Sequence, residues 1–313
     1  MATLITGAAG FVGGHLVPLV AADGPVVGWY RPGSAPPAWA GVTWRAVELR
    51  DRAAVAAAVA ADRPTAIYHC AGVAHVGDSW AQAEDTLASN VVGTAHLFDA
   101  LRALSLAPRV VVTGSATVYK ASSDPLTEES PLAPNTPYGT SKLAQEMVAL
   151  TAWREYGIPA IVTRSFNHIG PGQSPAFAAA SFARQLAAIE AGLAEPTIAV
   201  GNLAAARDVT DVRDTVRAYV ALMAHGHPGR RYNVCSGRAV PVQALLDGLR
   251  ARVRVPVAVV VDPARMRPVD TPVIVGSHER ITADTGWTPR LSLDETLDAL
   301  LNSWREAFRG GAA

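Results

Sequence analysis

The chain has 313 residues, half of them apolar and only 17% charged, a composition that buries a sizeable core and lacks the polar, highly charged bias of disorder. Lys plus Arg and Asp plus Glu balance at 27 each, so no net field draws the protein to nucleic acid or to an acidic membrane surface, and any anion site must be local. Its two cysteines, Cys70 and Cys235, stand alone without CxxC or His-rich spacing, which argues against both a disulfide framework and a metal site.

Ala2 to Thr6 leads straight into a glycine turn without the basic n-region and long apolar h-region of a signal peptide. No run reaches 18 uninterrupted apolar residues, so a cytoplasmic protein that does not enter a membrane is expected. Short β-branched runs at Thr3 to Thr6, Val26 to Trp29, Ala66 to His69, Val110 to Thr113 and Ile161 to Arg164 read as strands. Helical stretches alternate with them near Val12 to Ala22, Arg52 to Asp62, Glu84 to Leu104 and Tyr138 to Tyr156. This rhythm predicts an α/β fold, a Rossmann-like doubly wound parallel sheet. After Asn167 the pattern breaks at Gly170, Pro171, Gly172 and Pro175, which opens a smaller second lobe with a helix near Phe177 to Ala191. The expected division is 1–166, with 206–236 returning, for the dinucleotide-binding domain, and 167–205 with 237–313 for the second lobe.

The first strand feeds Gly7-Ala8-Ala9-Gly10-Phe11-Val12-Gly13, and a helix pattern follows at once. Glycines there allow a tight turn, bring the backbone close to a pyrophosphate and let the helix N-terminus aim free N–H groups at the anion. The spacing is GxxGxxG, a departure from the commoner GxGxxG dinucleotide fingerprint. Further on, Tyr138-Gly139-Thr140-Ser141-Lys142 follows an N-cap candidate, Thr136, and Pro137 at the first helical position. Tyr138 and Lys142 then share one helix face, where an ammonium favours the phenolate and lowers the tyrosine toward the range of a general acid. The strand at Val110 delivers Ser115 to a carboxyl end of the sheet, where its hydroxyl can hold a carbonyl oxygen beside the tyrosine.

Together the glycine turn, Ser115, Tyr138 and Lys142 resemble the extended short-chain dehydrogenase/reductase family over essentially the whole chain. Within it, Arg164 to Pro175, Phe182 to Gln185, Gly201 to Leu203, Arg207 to Asp214, Tyr232 to Gly237 and Asp262 to Asp270 look like the GDP-4-keto-6-deoxy-D-mannose reductases. That resemblance implies NAD(P)H-dependent reduction of the 4-keto sugar to GDP-D-rhamnose, with Ser115, Tyr138 and Lys142 catalytic. It implies that Gly7, Gly10, Phe11, Val12 and Gly13 line the cofactor pyrophosphate, Glu48 and Leu49 the adenine, and Ala71, Gly72 and Ser165 the rest of the cofactor. Ser115 and Ala116 would meet the sugar, Asn167, Arg184, Arg207 and Arg267 the nucleotide diphosphate, and Asp270 the ribose or base. His168 reads as a packed loop histidine, and His75 as a possible sugar contact without a catalytic part.

Relatives often carry Glu where this chain has Thr117, and Gly where it has Lys120. Dehydratases need an acid and base after the serine, and fucose-type epimerase-reductases a cysteine; Ala116-Thr117 supplies none of these, which leaves simple ketoreduction. The rival enzyme reading is a nucleotide-sugar 4-epimerase with retained NAD, because Ser115 to Tyr119 also looks like the UDP-galactose epimerase run; a 4-ketoreductase for a dTDP-, UDP- or CDP-sugar is a further alternative, and a non-catalytic dinucleotide-sensing scaffold is the reading from another class. Tyr30 stands where relatives place the acid that repels NADP, and Arg31 follows, so NADPH is expected over NADH. The resemblance also implies a homodimer through the helices near Glu84 to Leu104 and Tyr138 to Tyr156.

Overall fold

The computed structural model describes residues 2–266 and 273–310. Its strands are β1 (Thr3–Thr6), β2 (Val26–Tyr30), β3 (Val42–Ala46), β4 (Ala66–His69), β5 (Arg109–Ser115), β6 (Ala160–Ser165), β7 (Asn167–Ile169), β8 (Thr197–Val200), β9 (Ala206–Asp211), β10 (Arg231–Val234), β11 (Ala239–Pro241), β12 (Ala258–Val261) and β13 (Val273–Ile274). Helices α1 (Phe11–Ala21), α2 (Arg52–Asp62), α3 (Ala83–Leu87), α4 (Gly93–Ala103), α5 (Pro137–Tyr156), α6 (Ala178–Glu190), α7 (Val212–His225), α8 (Val242–Arg250), α9 (Glu279–Thr285) and α10 (Leu293–Arg309) connect and flank them.

Seven parallel strands form the main sheet in the order β10-β6-β5-β4-β1-β2-β3. Because alternate strand residues face opposite sides, each strand feeds two cores. Leu4, Ile67, Val110 and Val112 pack with Val55 and Val59 of α2, Leu97 and Leu101 of α4 and Ala149 of α5. Ile5, Tyr68 and Val111 pack on the other face with Leu16 and Val17 of α1 and with Val216, Tyr219 and Leu222 of α7. Both faces are covered, which is why these strands read as nearly continuous apolar runs. Strand order reverses at β1, between β4 and β2, and a crevice opens there at the carboxyl ends.

The second lobe has a four-stranded sheet of β7, β9, β11 and β13 and a parallel pair, β8 with β12. Helices α6, α8 and α10 close over it through Phe182, Leu186, Leu246, Leu249, Leu297 and Leu300. Among the described residues no helix is long and apolar enough to cross a membrane.

Three departures of the fold from the sequence expectation bear on how the two lobes are joined and on the cleft. Residues 206–211 form β9 in the small sheet, whereas α7 and β10 return to the main one. From the C-terminal stretch, Ile281 of α9 and Trp287 pack on the main sheet's α1–α7 side, and the buried Asp214 carboxylate of α7 accepts the N–H groups of Arg290 and Leu291 at 2.7 and 2.8 Å. The helix expected over Glu84 to Leu104 is interrupted by a π-helical turn, Ala88–Val92, where the buried Asn90 side chain accepts from Val73 N–H at 2.8 Å and donates to Val73 carbonyl at 3.1 Å.

Candidate active site

β1 runs into the glycine turn, and two of its glycines are sterically required. Gly7 has φ +67°, and a Cβ there would lie 2.8 Å from the Ala71 backbone nitrogen. A Cβ on Gly13 would fall 2.2 Å from the Gly7 carbonyl oxygen. The turn therefore brings β1, the start of α1 and the Ala71 segment after β4 into one concave backbone surface, with Gly10 as N-cap of α1. This cradle fits a pyrophosphate, which needs N–H groups and a helix N-terminus rather than side chains.

The cradle is one end of a cleft of about 1250 Å³ between the lobes. Among the described lining residues the one carboxylate is Glu48, against Arg31, Arg50, Lys120, Arg207 and Arg265. In a protein of zero formal net charge this cavity is thus locally cationic, with five basic residues against one acid among the described lining residues. Burial pushes the Glu48 carboxyl up, but hydrogen bonds from Arg50 and the fields of Arg50 and Arg31 outweigh it and hold the group below the usual carboxylate range.

Ser115 ends β5 in the wall of the cleft. Its oxygen accepts from Thr117 N–H at 3.2 Å and from the Thr117 hydroxyl at 3.0 Å, so its own proton is left to donate. Opposite, Thr136 caps α5 by accepting from Gly139 N–H at 3.0 Å, and Pro137 occupies the first turn, as the sequence predicts. That cap sets the helix start, and with it the buried Tyr138 phenol beside Ser115.

Burial pushes the Tyr138 phenol up to about 12, with the Ser115 hydrogen bond pulling the other way. Burial also lowers the Lys142 ammonium to about 8. The sequence expectation that the ammonium dominates the tyrosine is therefore corrected. Lys142 Nζ lies 5.9 Å from the Tyr138 ring centroid and donates instead to the Thr113 carbonyl and to Gln145 Oε1, both at 2.9 Å. Tyr138 is accordingly a neutral phenol at pH 7, the form a proton donor needs.

Of the residues singled out in the sequence, Gly7, Gly10, Phe11, Val12, Gly13, Arg31, Glu48, Leu49, Ala71, Gly72, Ser115, Ala116, Tyr138, Ser165, Asn167 and Arg207 all line this cleft. Lys142 lies just beneath it, 3.8 Å from the Cβ position of Gly72. Arg184 does not reach it: α6 turns Ser181 and Phe182 to the cleft, and Arg184 stands exposed on another face, over the Trp304 ring of α10 at 5.9 Å. Arg267 and Asp270 fall outside the described residues. His168 stacks on Phe11, with ring centroids 5.9 Å apart, and burial lowers its imidazole. His75 crosses the cleft mouth to the Ala176 carbonyl at 3.2 Å and the Phe177 ring at 5.3 Å.

Sequence reasoning missed Arg265, whose guanidinium donates to Ser181 at 3.1 Å and lines the lobe end of the cleft with Arg207. It also missed the hold of Thr117 on Ser115. The available signal for Arg265 was the Asp262-Pro263 start, which caps a short 3-10 turn through Ala264 N–H and fixes the arginine's place.

The sequence model of the family described as GDP-mannose 4,6 dehydratase matches residues 4–300. The chain belongs to this family. Among its relatives, the GDP-6-deoxy-D-mannose reductase of Pseudomonas aeruginosa is 37% identical over 249 residues, 79% of this chain and 82% of that protein. The structure of RMD from Pseudomonas aeruginosa, complexed with NADPH, superposes with a TM-score of 0.86 at 33% identity, over 97% of this chain and 99% of that one. UDP-glucose 4-epimerase from Thermus thermophilus, complexed with NAD, also reaches 0.86, at 27% identity over 98% and 100% of the two chains.

Proposed function

We propose that this enzyme reduces the 4-keto group of a nucleotide-activated 4-keto-6-deoxyhexose, GDP-4-keto-6-deoxy-D-mannose to GDP-D-rhamnose, with NADPH in preference to NADH. The observation that carries the reading is that Ser115 and Tyr138 line one cleft together with the glycine cradle and two sets of arginines from the two lobes. At one end the glycine cradle with Arg31 fits a dinucleotide; at the other Arg207 and Arg265 suit a second diphosphate through charge-assisted hydrogen bonds. The 37% identity to a GDP-6-deoxy-D-mannose reductase supports the choice of nucleotide and sugar.

Bound nicotinamide supplies the hydride. The Ser115 hydroxyl and the Tyr138 phenol hold the ketone oxygen, and Tyr138 passes its proton to that oxygen as negative charge develops there. Lys142, beneath Gly72, would hold the nicotinamide ribose hydroxyls. Dehydration needs a carboxylate beside the serine, and Thr117 occupies that position with its hydroxyl committed to Ser115. The protein acts as a cytoplasmic homodimer in this reading.

The test is NADPH oxidation with 4-keto-6-deoxyhexoses carrying GDP, dTDP, UDP or CDP, with product stereochemistry read by NMR. GDP-D-rhamnose from the GDP-sugar supports the proposal. The Thermus thermophilus likeness favours the second reading, a 4-epimerase, which turnover without added NAD(P)H and tightly retained NAD would establish instead.

A further inference from the structure

Beneath the cleft a fully buried hydrogen-bond chain ends on the Lys142 ammonium, and each of its donors can be assigned. The Thr94 hydroxyl donates to the Asn90 carbonyl at 2.7 Å, which uses its single proton. Towards its other neighbours Thr94 Oγ1 can only accept. His69 Nε2, 2.8 Å away, is therefore the protonated ring nitrogen, and His69 Nδ1 accepts from the Thr6 hydroxyl at 2.8 Å. Thr6 in turn accepts the Ala71 N–H at 3.1 Å, in the wall of the glycine cradle. For the same reason the Gln145 amide must turn its NH₂ to Thr94, at 2.9 Å, and this leaves its oxygen facing Lys142 Nζ, also at 2.9 Å. Thr6, His69, Asn90, Thr94 and Gln145 are all wholly buried.

We propose that Gln145 is a positioning residue for Lys142: the Thr94–His69–Thr6 chain locks its amide so that a carbonyl oxygen, and never an amino group, meets the ammonium. The inference deepens the ketoreductase reading and rests on it for the use to which the lysine is put. With the Thr113 carbonyl, Gln145 takes two of the three ammonium protons and leaves one for the cleft. Both acceptors stabilise the charged form against the burial that disfavours it.

The titratable groups around the ammonium do not replace Gln145. Burial keeps the Tyr138 phenol of α5 and the Cys70 thiol after β4 neutral, both at about 12, and the His69 imidazole of β4 neutral, lowered to about 3. The Glu146 carboxylate on α5 is taken by Arg164 of β6 and Arg231 of β10.

Lys120 and Lys142 are the two lysines of the chain, so the test reads Lys142 directly. In the full-length Lys120→Arg protein labelled with ¹³C-lysine, the remaining ε-carbon signal gives the Lys142 midpoint without cofactor or substrate. Gln145→Met, which removes the acceptor at similar length, should lower that midpoint by about one pH unit, and Gln145→Glu should raise it by about as much. Should Gln145→Met fail to fold, Gln145→Leu removes the same acceptor and should lower the midpoint likewise. A midpoint unmoved by the acceptor-removing variant that folds, or moved in the same direction by Gln145→Glu, would overturn the assignment. In a background retaining Lys120, the alkaline limb of kcat should follow the NMR midpoint with KM for the keto sugar little changed. Shifted midpoints in a protein that turns over no keto sugar would sink the ketoreductase reading and leave the positioning of Lys142 standing.

Discussion

The Arg164 guanidinium and the Glu146 carboxylate form a two-pronged pair inside the protein, Nε to Oε2 at 2.9 Å and Nη2 to Oε1 at 2.7 Å, with both side chains almost wholly buried. Arg164 also lies 4.8 Å from the Tyr119 ring centroid and donates to the Glu128 carbonyl at 3.1 Å. Tyr119 closes the turn after Ser115 and donates to Asn233 at 2.6 Å, so the pair stands behind the serine loop. Removing one partner of such a pair strands the other charge in a low-dielectric core. Glu146→Leu should therefore cost about 3–5 kcal/mol of stability, measured by urea unfolding with an unchanged m-value.

Tyr138→Phe deletes the proposed proton donor and keeps the ring that fills the buried space beside Ser115. Turnover should fall by about two to four orders of magnitude, while NADPH binding measured by fluorescence titration stays close to wild type. Near-normal turnover would remove Tyr138 from the acid role.

The two arginines separated by the structure should behave differently. Arg207 lines the cleft, and Arg207→Ala should raise KM for the nucleotide sugar by roughly tenfold or more, as expected for loss of a charged hydrogen bond. Arg184 stacks on Trp304 outside it, so Arg184→Ala should leave kcat/KM within about twofold and lower stability slightly, by about 0.5–1 kcal/mol. Steady-state kinetics on both variants decides between the structural assignment and the sequence expectation.

That contrast shows what the sequence could convey. Strands β1, β4, β5 and β6 were legible because burial on both faces leaves apolar runs, and the Tyr138 helix was legible because its cap is a local motif. β3 was missed because it is a half-buried edge strand whose Val-Thr-Trp-Arg-Ala run lacks that signal. Which way Arg184 points depends on how α6 rotates against α10, a tertiary fact no spacing within α6 encodes. Gln145 escaped notice because its role comes from His69 and from Thr94, which lies 51 positions away along the chain.

Leu87, Val92, Met147, Trp153 and Tyr156 are large apolar residues exposed on the segment running from α3 to α4 and on α5. The presence of such residues on both of these helical segments supports the proposed homodimer. Sedimentation at micromolar concentration should show a dimer, and Met147→Glu should shift it to monomer by placing a charge in the apolar face. A wild-type protein that is monomeric throughout the range would refute the pairing.

The proposed preference for NADPH rests on the turn after β2. Tyr30 ends that strand, and the Arg31 carbonyl accepts from Ser34 N–H at 3.2 Å and from the Ser34 hydroxyl at 2.7 Å, which closes a compact turn. Arg31 and Ser34 both line the cleft at the cradle end, where an adenosine ribose would carry the extra phosphate of NADP. No carboxylate occupies position 30 to repel it. Glu48 is the nearby acid; it is hydrogen-bonded by Arg50 at 3.2 Å, and Arg31, whose field it also feels, lines the cleft where a phosphate would sit. A guanidinium hydrogen-bonded to a phosphate contributes about 1.5–3 kcal/mol, roughly a 10- to 100-fold preference. Wild type should therefore show kcat/KM for NADPH above that for NADH by about this factor, and Arg31→Ala should abolish the preference by weakening NADPH alone. Equal constants in wild type, or a preference that survives the substitution, would show that the phosphate is read elsewhere.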